Sequence, residues 1–135
     1  MIDCEEKKMN RMMNRMMIAK NPYQGETKKV LTICSAGILR SPTAAKVIAE
    51  EYGYNTRAAG AEEEFALIPV SEVLLEWADE IVFMEQRHYD IVKGAFENEI
   101  IERKCKVLDV PDIYPWNDPK LVAAIKEQYA ATLEE

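Results

Sequence analysis

Val30-Leu-Thr-Ile-Cys34-Ser-Ala-Gly-Ile-Leu-Arg40-Ser41-Pro42 is the stretch on which the fold turns. Its opening run, Val30 to Cys34, is apolar or β-branched and reads as a strand buried on both faces. Ser35, Ala36 and Gly37 are small enough for the chain to turn tightly. Ser41 then offers an N-cap hydroxyl and Pro42 a first helical position, so a helix is expected to open there. Ala45, Ile48, Ala49 and Tyr52 recur at helical spacing, and Gly53 is placed to end the helix.

The same alternation continues downstream. Asn55 to Ala59 reads as a second strand with a turn at Gly60, followed by a Glu-rich loop over 61–69. Ser71 caps a short helix with Val70, Val73, Leu74 and Trp77 inward. Ile81 to Met84 is a third strand, and a helix from Glu85 to Phe96 carries Tyr89, Val92 and Phe96 on one side. Lys106 to Val110 is a fourth strand, Pro111 to Trp116 a loop, and Asp118-Pro119 the start of a last helix with Leu121, Ile125 and Tyr129 buried. Four strands alternating with helices imply an α/β fold, with a four-stranded parallel sheet between helical layers. Ligands of such sheets sit at the carboxyl ends of the strands, where the loops after Cys34 and Val110 both lie.

Composition narrows the function classes. The 135 residues suit one domain, here 30–135, preceded by a Met-rich, basic extension over 1–29. A net charge of −7 argues against a nucleic-acid partner, which requires a basic face. No apolar run is long enough for a membrane span, and the N-terminus lacks signal-peptide features, so a cytoplasmic protein is expected. Cys4, Cys34 and Cys105 contain no Cys-x-x-Cys pair, and His88 is the only histidine. Neither a zinc site nor any other metal or cofactor is expected.

Chemistry concentrates in the loop from Cys34 to Arg40. A tight loop of small residues at a helix N-terminus turns its N–H groups inward as an anion nest. Ser35, Ala36, Gly37, Ile38, Leu39 and Ser41 are therefore candidate phosphate-binding residues. Arg40 adds a planar fork that matches two phosphate oxygens. The same surroundings are expected to activate Cys34, whose thiolate would be the nucleophile, and the Ser41 hydroxyl is placed to donate a hydrogen bond to its sulfur.

A leaving alkoxide or phenolate needs a proton, and a carboxyl at the same sheet edge is the natural donor. Asp112 is the first choice. Asp109, inside the expected strand, is second, and Asp118 is read as a helix cap. Tyr114 and Trp116 are expected to wall the cleft, with Ile38 adding apolar surface, and Phe65 reads either as a rim residue or as an exposed or partly packed loop residue. Glu62-Glu-Glu64 reads as a solvated loop, His88 as a surface or half-buried helix residue, and Trp77 as core.

These segments resemble the low-molecular-weight protein tyrosine phosphatase family over about residues 29–133, nearest to a short predicted-phosphatase branch. The resemblance lies in Val30 to Cys34, Arg40-Ser41-Pro42-Thr-Ala44, Arg57-Ala-Ala-Gly60, Ala78-Asp79-Glu-Ile-Val-Phe-Met84 and Pro111-Asp112-Ile-Tyr114. It implies a three-layer flavodoxin-like fold. It also implies a phosphocysteine intermediate on Cys34, Asp112 as acid and base, and a phosphorylated protein or small phosphate ester as substrate. Two positions depart from the family pattern. Gly37 stands where the family often has a loop-bracing Asn, and Leu39 stands where it has a second cysteine. An arsenate reductase relaying oxidation through Cys105, or a catalytically weak phosphate-binding module, are the competing readings.

Overall fold

In the computed structural model, residues 27–64, 66–96 and 99–133 are described. The extension read over 1–29 thus lies, up to residue 26, outside the described residues, as does Phe65. Four strands form one parallel sheet: β1 (Lys29–Cys34), β2 (Asn55–Gly60), β3 (Glu80–Phe83) and β4 (Cys105–Val107). Their spatial order is β2-β1-β3-β4. The chain therefore reverses direction across the sheet between β1 and β3, the switch point at which parallel sheets open a crevice.

Strand periodicity sorts the core into two layers. Val30, Cys34, Val82 and Met84 face α1 (Arg40–Tyr52) and α5 (Pro119–Leu133), packing with Ala44, Val47, Ile48, Leu121, Ile125 and Tyr129. Leu31, Ile33, Ile81 and Phe83 face the other way. They pack on Leu75 of α2 (Glu72–Trp77), Val92 of α3 (Gln86–Phe96) and Ile101 of α4 (Glu99–Lys104). Each such side chain, fully buried, contributes about 1.5–3 kcal/mol. The expected sandwich of helices on both faces of a four-stranded parallel sheet is what the chain adopts.

Several local expectations shift. Helix α1 begins at Arg40, with Leu39 at the N-cap and no side-chain cap, so Ser41 does not cap it. Pro42 still lies in the first turn, where a missing N–H costs nothing. Tyr52 sits at the edge of the layer, stacked on Tyr54 at 5.6 Å. Gly60 is not a turn residue but the last residue of β2, paired with Cys34. A Cβ there would come within 2.6 Å of Ala66 Cβ and 2.7 Å of the Ala36 backbone, so only glycine admits the loop. In α2, Ser71 caps as expected by accepting from the Leu74 N–H, but Val73 is 75% exposed and Leu75 is 2% exposed. A helix of under two turns offers too few repeats to phase its face from sequence. Helix α4 was not anticipated. Strand β4 stops at Val107, and Asp109 lies beyond it. Gln128 pins the Asp109 backbone through both its N–H (2.7 Å) and its carbonyl (2.9 Å).

The end of the sheet away from Cys34 carries a buried carboxylate. Glu80 accepts from Tyr129 Oη (2.6 Å), Lys28 Nζ (2.9 Å) and Lys106 Nζ (3.0 Å), tying β3 to α5. Burial raises its carboxyl, but these donors outweigh burial and hold it below the usual range.

Candidate active site

Cys34 ends β1 and Glu85 follows β3, so both stand at the carboxyl edge of the switch point. Between Cys34 and α1 the loop is held from outside by its own carbonyls. The Cys34, Ser35 and Ala36 oxygens accept from the N–H groups of Ala61 (2.8 Å), Glu62 (3.0 Å) and Leu67 (3.3 Å). In a trans peptide the following N–H points opposite to the carbonyl. The N–H groups of Ser35, Ala36 and Gly37 are thereby turned inward, and that of Gly37 donates to Cys34 Sγ at 3.2 Å. Gly37 has φ +72°, and a Cβ would stand 2.8 Å from the Ala59 backbone. Both the left-handed turn and the close approach of β2 call for glycine.

Ser41 Oγ lies 3.2 Å from Cys34 Sγ and 3.3 Å from the Ala59 carbonyl. With a thiolate, the hydroxyl proton points to sulfur. With a thiol, S–H donates to Ser41 and the hydroxyl turns to Ala59. Of the two roles expected of this hydroxyl, the contact with sulfur is found and the helix cap is not. Thr32 fixes this corner by donating to the Ser41 carbonyl at 2.7 Å.

Arg40 is 1% exposed. Its Nη1 donates to Glu85 Oε1 and, at 2.8 Å, to the Val110 carbonyl. That leaves the Nε–Nη2 edge, whose neighbours are Asp112 Oδ1 at 3.7 Å and Ser35 Oγ at 3.4 Å. Cys34, Ser35, Ala36, Ile38, Leu39, Arg40 and Asp112 line one cavity of about 180 Å³. Sulfur, inward N–H groups and a guanidinium edge around one small volume suit a tetrahedral oxyanion. Asp112 is 53% exposed at the mouth, on a loop anchored where the Asn117 N–H donates to Thr43 Oγ1 at 3.0 Å.

Other expected residues lie elsewhere. Tyr114 packs on the α1/α5 core, and Trp116 stands beside Lys46, 5.4 Å from its ammonium; neither lines the cavity. The exposed apolar side chain of the cavity lining is Ile38, 43% exposed. Asp109 is likewise outside the cavity, and Asp118 caps α5 by accepting from the Lys120 N–H at 2.8 Å. Glu62 pairs with Arg87 at 3.8 Å, while Glu63 and Glu64 are exposed. Among the described residues no group of three or more His, Cys, Asp or Glu could hold a metal ion.

Two residues of the site escaped the sequence reading. Glu85 is one; a carboxylate directly after the neighbouring strand was the available signal for a partner of Arg40. Burial raises its carboxyl, but Arg40 and Arg87 outweigh burial and hold it below the usual carboxylate range. The other is His88, which is fully buried rather than at the surface or half-buried. Its Nδ1 accepts from the Glu85 N–H at 3.1 Å, and its Nε2 lies 3.0 Å from Ser35 Oγ. Burial, then the charges of Arg40 and Arg87, push its pKa down to about 4.

No protein-family model and no curated protein matches the sequence. Solved structures do. The low-molecular-weight protein tyrosine phosphatase from Campylobacter jejuni superposes with a TM-score of 0.57 at 18% identity, over 80% of this chain and 96% of that one. This chain has the fold of the low-molecular-weight protein tyrosine phosphatases. Vibrio vulnificus Wzb in complex with benzylphosphonate matches with a TM-score of 0.61 at 20% identity, over 80% of this chain and 98% of that one. The YwlE arginine phosphatase from Geobacillus stearothermophilus matches with a TM-score of 0.55 at 20% identity, over 79% and 93%. The likeness in fold thus spans about four fifths of the chain.

The buried imidazole makes stability pH-dependent. Folded His88 titrates at about 4, against 6.5 when free. Between these values the unfolded chain holds the extra proton, so acid favours unfolding, with the loss starting near pH 6.5 and complete near 4. Urea unfolding is expected to show roughly 2 kcal/mol less stability at pH 5 than at pH 7. In His88→Gln most of that slope should vanish. The lowered carboxyls of Glu80 and Glu85 act below this window, so a flat profile between pH 7 and 5 would contradict a neutral buried His88.

Proposed function

We propose that this protein is a metal-independent cysteine phosphatase that hydrolyses phosphotyrosine or aryl phosphate monoesters through a phosphocysteine intermediate. The observation that carries the reading is that Cys34 and Arg40, from one loop, and Asp112, from a loop distant in sequence, line one cavity with inward loop N–H groups. Cys34 sulfur attacks phosphorus, the ester oxygen leaves, and Asp112 gives that oxygen its proton. The resulting Asp112 carboxylate then takes a proton from water, which attacks phosphocysteine and releases phosphate and the free thiolate. Arg40 and the loop N–H groups hold the equatorial oxygens throughout, so their stabilisation acts where charge gathers in the transition state.

The exposed, apolar Ile38 in the cavity lining supports an aryl leaving group over a charged one. The similar structures include both tyrosine and arginine phosphatases, so the leaving group is the point on which substrate assays should concentrate. The reductase reading has less support. Cys105 opens β4 opposite Ile81, at the end of the sheet away from Cys34, where no thiol relay would reach it.

The test is hydrolysis of para-nitrophenyl phosphate by the full chain with EDTA present. Turnover is expected. Tight phosphate binding with no turnover would replace this reading by the binding module. Asp112→Asn is expected to cost roughly 10²–10⁴-fold on phenyl phosphate, a poor leaving group, and far less on an activated aryl phosphate. Equal losses on both would remove Asp112 as the proton donor.

A further inference from the structure

We propose that His88 is the positioning residue that aims the Ser35 hydroxyl proton at the anion in the Cys34 cavity. Nothing in the proposed mechanism requires His88, yet it is fully buried and both ring nitrogens are engaged. A backbone N–H can only donate, so Nδ1, which receives the Glu85 N–H, carries no proton. The single proton of the neutral ring is then on Nε2 and is donated to Ser35 Oγ, 3.0 Å away. Neutrality is maintained chiefly by burial, then by the cations Arg40 and Arg87, against the opposing charges of Glu85 and Asp112.

Ser35 Oγ also receives Arg40 Nη2–H at 3.4 Å. A hydroxyl has two lone pairs and one proton. With both lone pairs taken by His88 and Arg40, the proton of Ser35 must be given elsewhere, and Ser35 lines the cavity. The result is a neutral donor of fixed direction beside the inward N–H groups. Gly37 contributes no side chain to brace the loop, so the Ser35–His88 contact links it to the segment after β3 that also carries Glu85, the partner of Arg40. The inference rests on the cavity being an oxyanion site, as the phosphatase reading requires.

Inorganic phosphate binding to the full chain reads this out without requiring turnover. Ser35→Ala and His88→Asn, which cannot reach Ser35, should each weaken phosphate binding by roughly 10-fold or more. The double variant should be no weaker than Ser35→Ala alone. His88→Gln, whose amide nitrogen can take the place of Nε2, should recover most of the affinity. Equal His88→Asn losses with and without Ser35 would make His88 a packing residue and overturn the proposal.

If these variants fail to fold, ¹⁵N spectra of the wild type decide. His88 is the only imidazole in the chain, and the proposal demands the Nε2–H tautomer at neutral pH. An Nδ1–H tautomer would overturn it. Wild type that binds phosphate but turns nothing over would sink the activity and leave this inference readable. Wild type that binds no phosphate would sink both.

Discussion

Cys34→Ser is expected to reduce turnover to background, a loss of roughly 10⁵–10⁶-fold on the scale of nucleophile removal in other enzymes. A serine hydroxyl stays protonated where a thiol ionises, and the crevice holds no base in contact with position 34 that would activate it. The groups around Sγ are the Gly37 N–H and the Ser41 hydroxyl, and a serine oxygen can use both. The variant should therefore keep its fold, its melting temperature and its phosphate affinity. Stopped assays on para-nitrophenyl phosphate, alongside phosphate titration, separate chemistry from binding. Turnover in the variant above background would remove Cys34 as the nucleophile.

Arg40→Lys should fail for two reasons that are read separately. The guanidinium serves Glu85 and the Val110 carbonyl with Nη1 while its Nε–Nη2 edge stays on the cavity side. One ammonium cannot do both, so phosphate loses its bidentate partner and kcat/KM should drop by roughly 10³-fold or more. The substitution also leaves the Val110 carbonyl or the Glu85 carboxylate short of a donor near the core. Removing one partner of such a group costs about 1–3 kcal/mol, so the melting temperature should fall as well. A variant that melts lower yet keeps kcat/KM would show Arg40 to be structural alone.

Everything encoded within one turn or one strand was legible in the chain. Val30 to Cys34 had to be a buried strand because no polar residue but Thr32 interrupts it. The small residues after it had to curl, and the Leu121, Ile125 and Tyr129 stripe of α5 packs as its spacing says. Asp118 caps where its place before Pro119 put it. From these alone follow the parallel sheet, the two helical layers and the crevice at Cys34.

Tertiary structure decided the rest, because it concerns partners distant in sequence. Glu85 meets Arg40 across 45 positions and His88 meets Ser35 across 53, and no local pattern in a single sequence marks such pairs. Where the residues after Asp112 go depended on how that loop folds back on α1, where it is tied to Thr43, and so Tyr114 went to the core instead of the cleft wall. Ser41 illustrates the same limit at shorter range. A hydroxyl at a helix start has several acceptors and donors within reach, and only the approach of Cys34 and Ala59 selected sulfur over the helix backbone. Sequence determined where the anion-binding loop lies, and packing between distant segments determined which side chains hold it in working geometry.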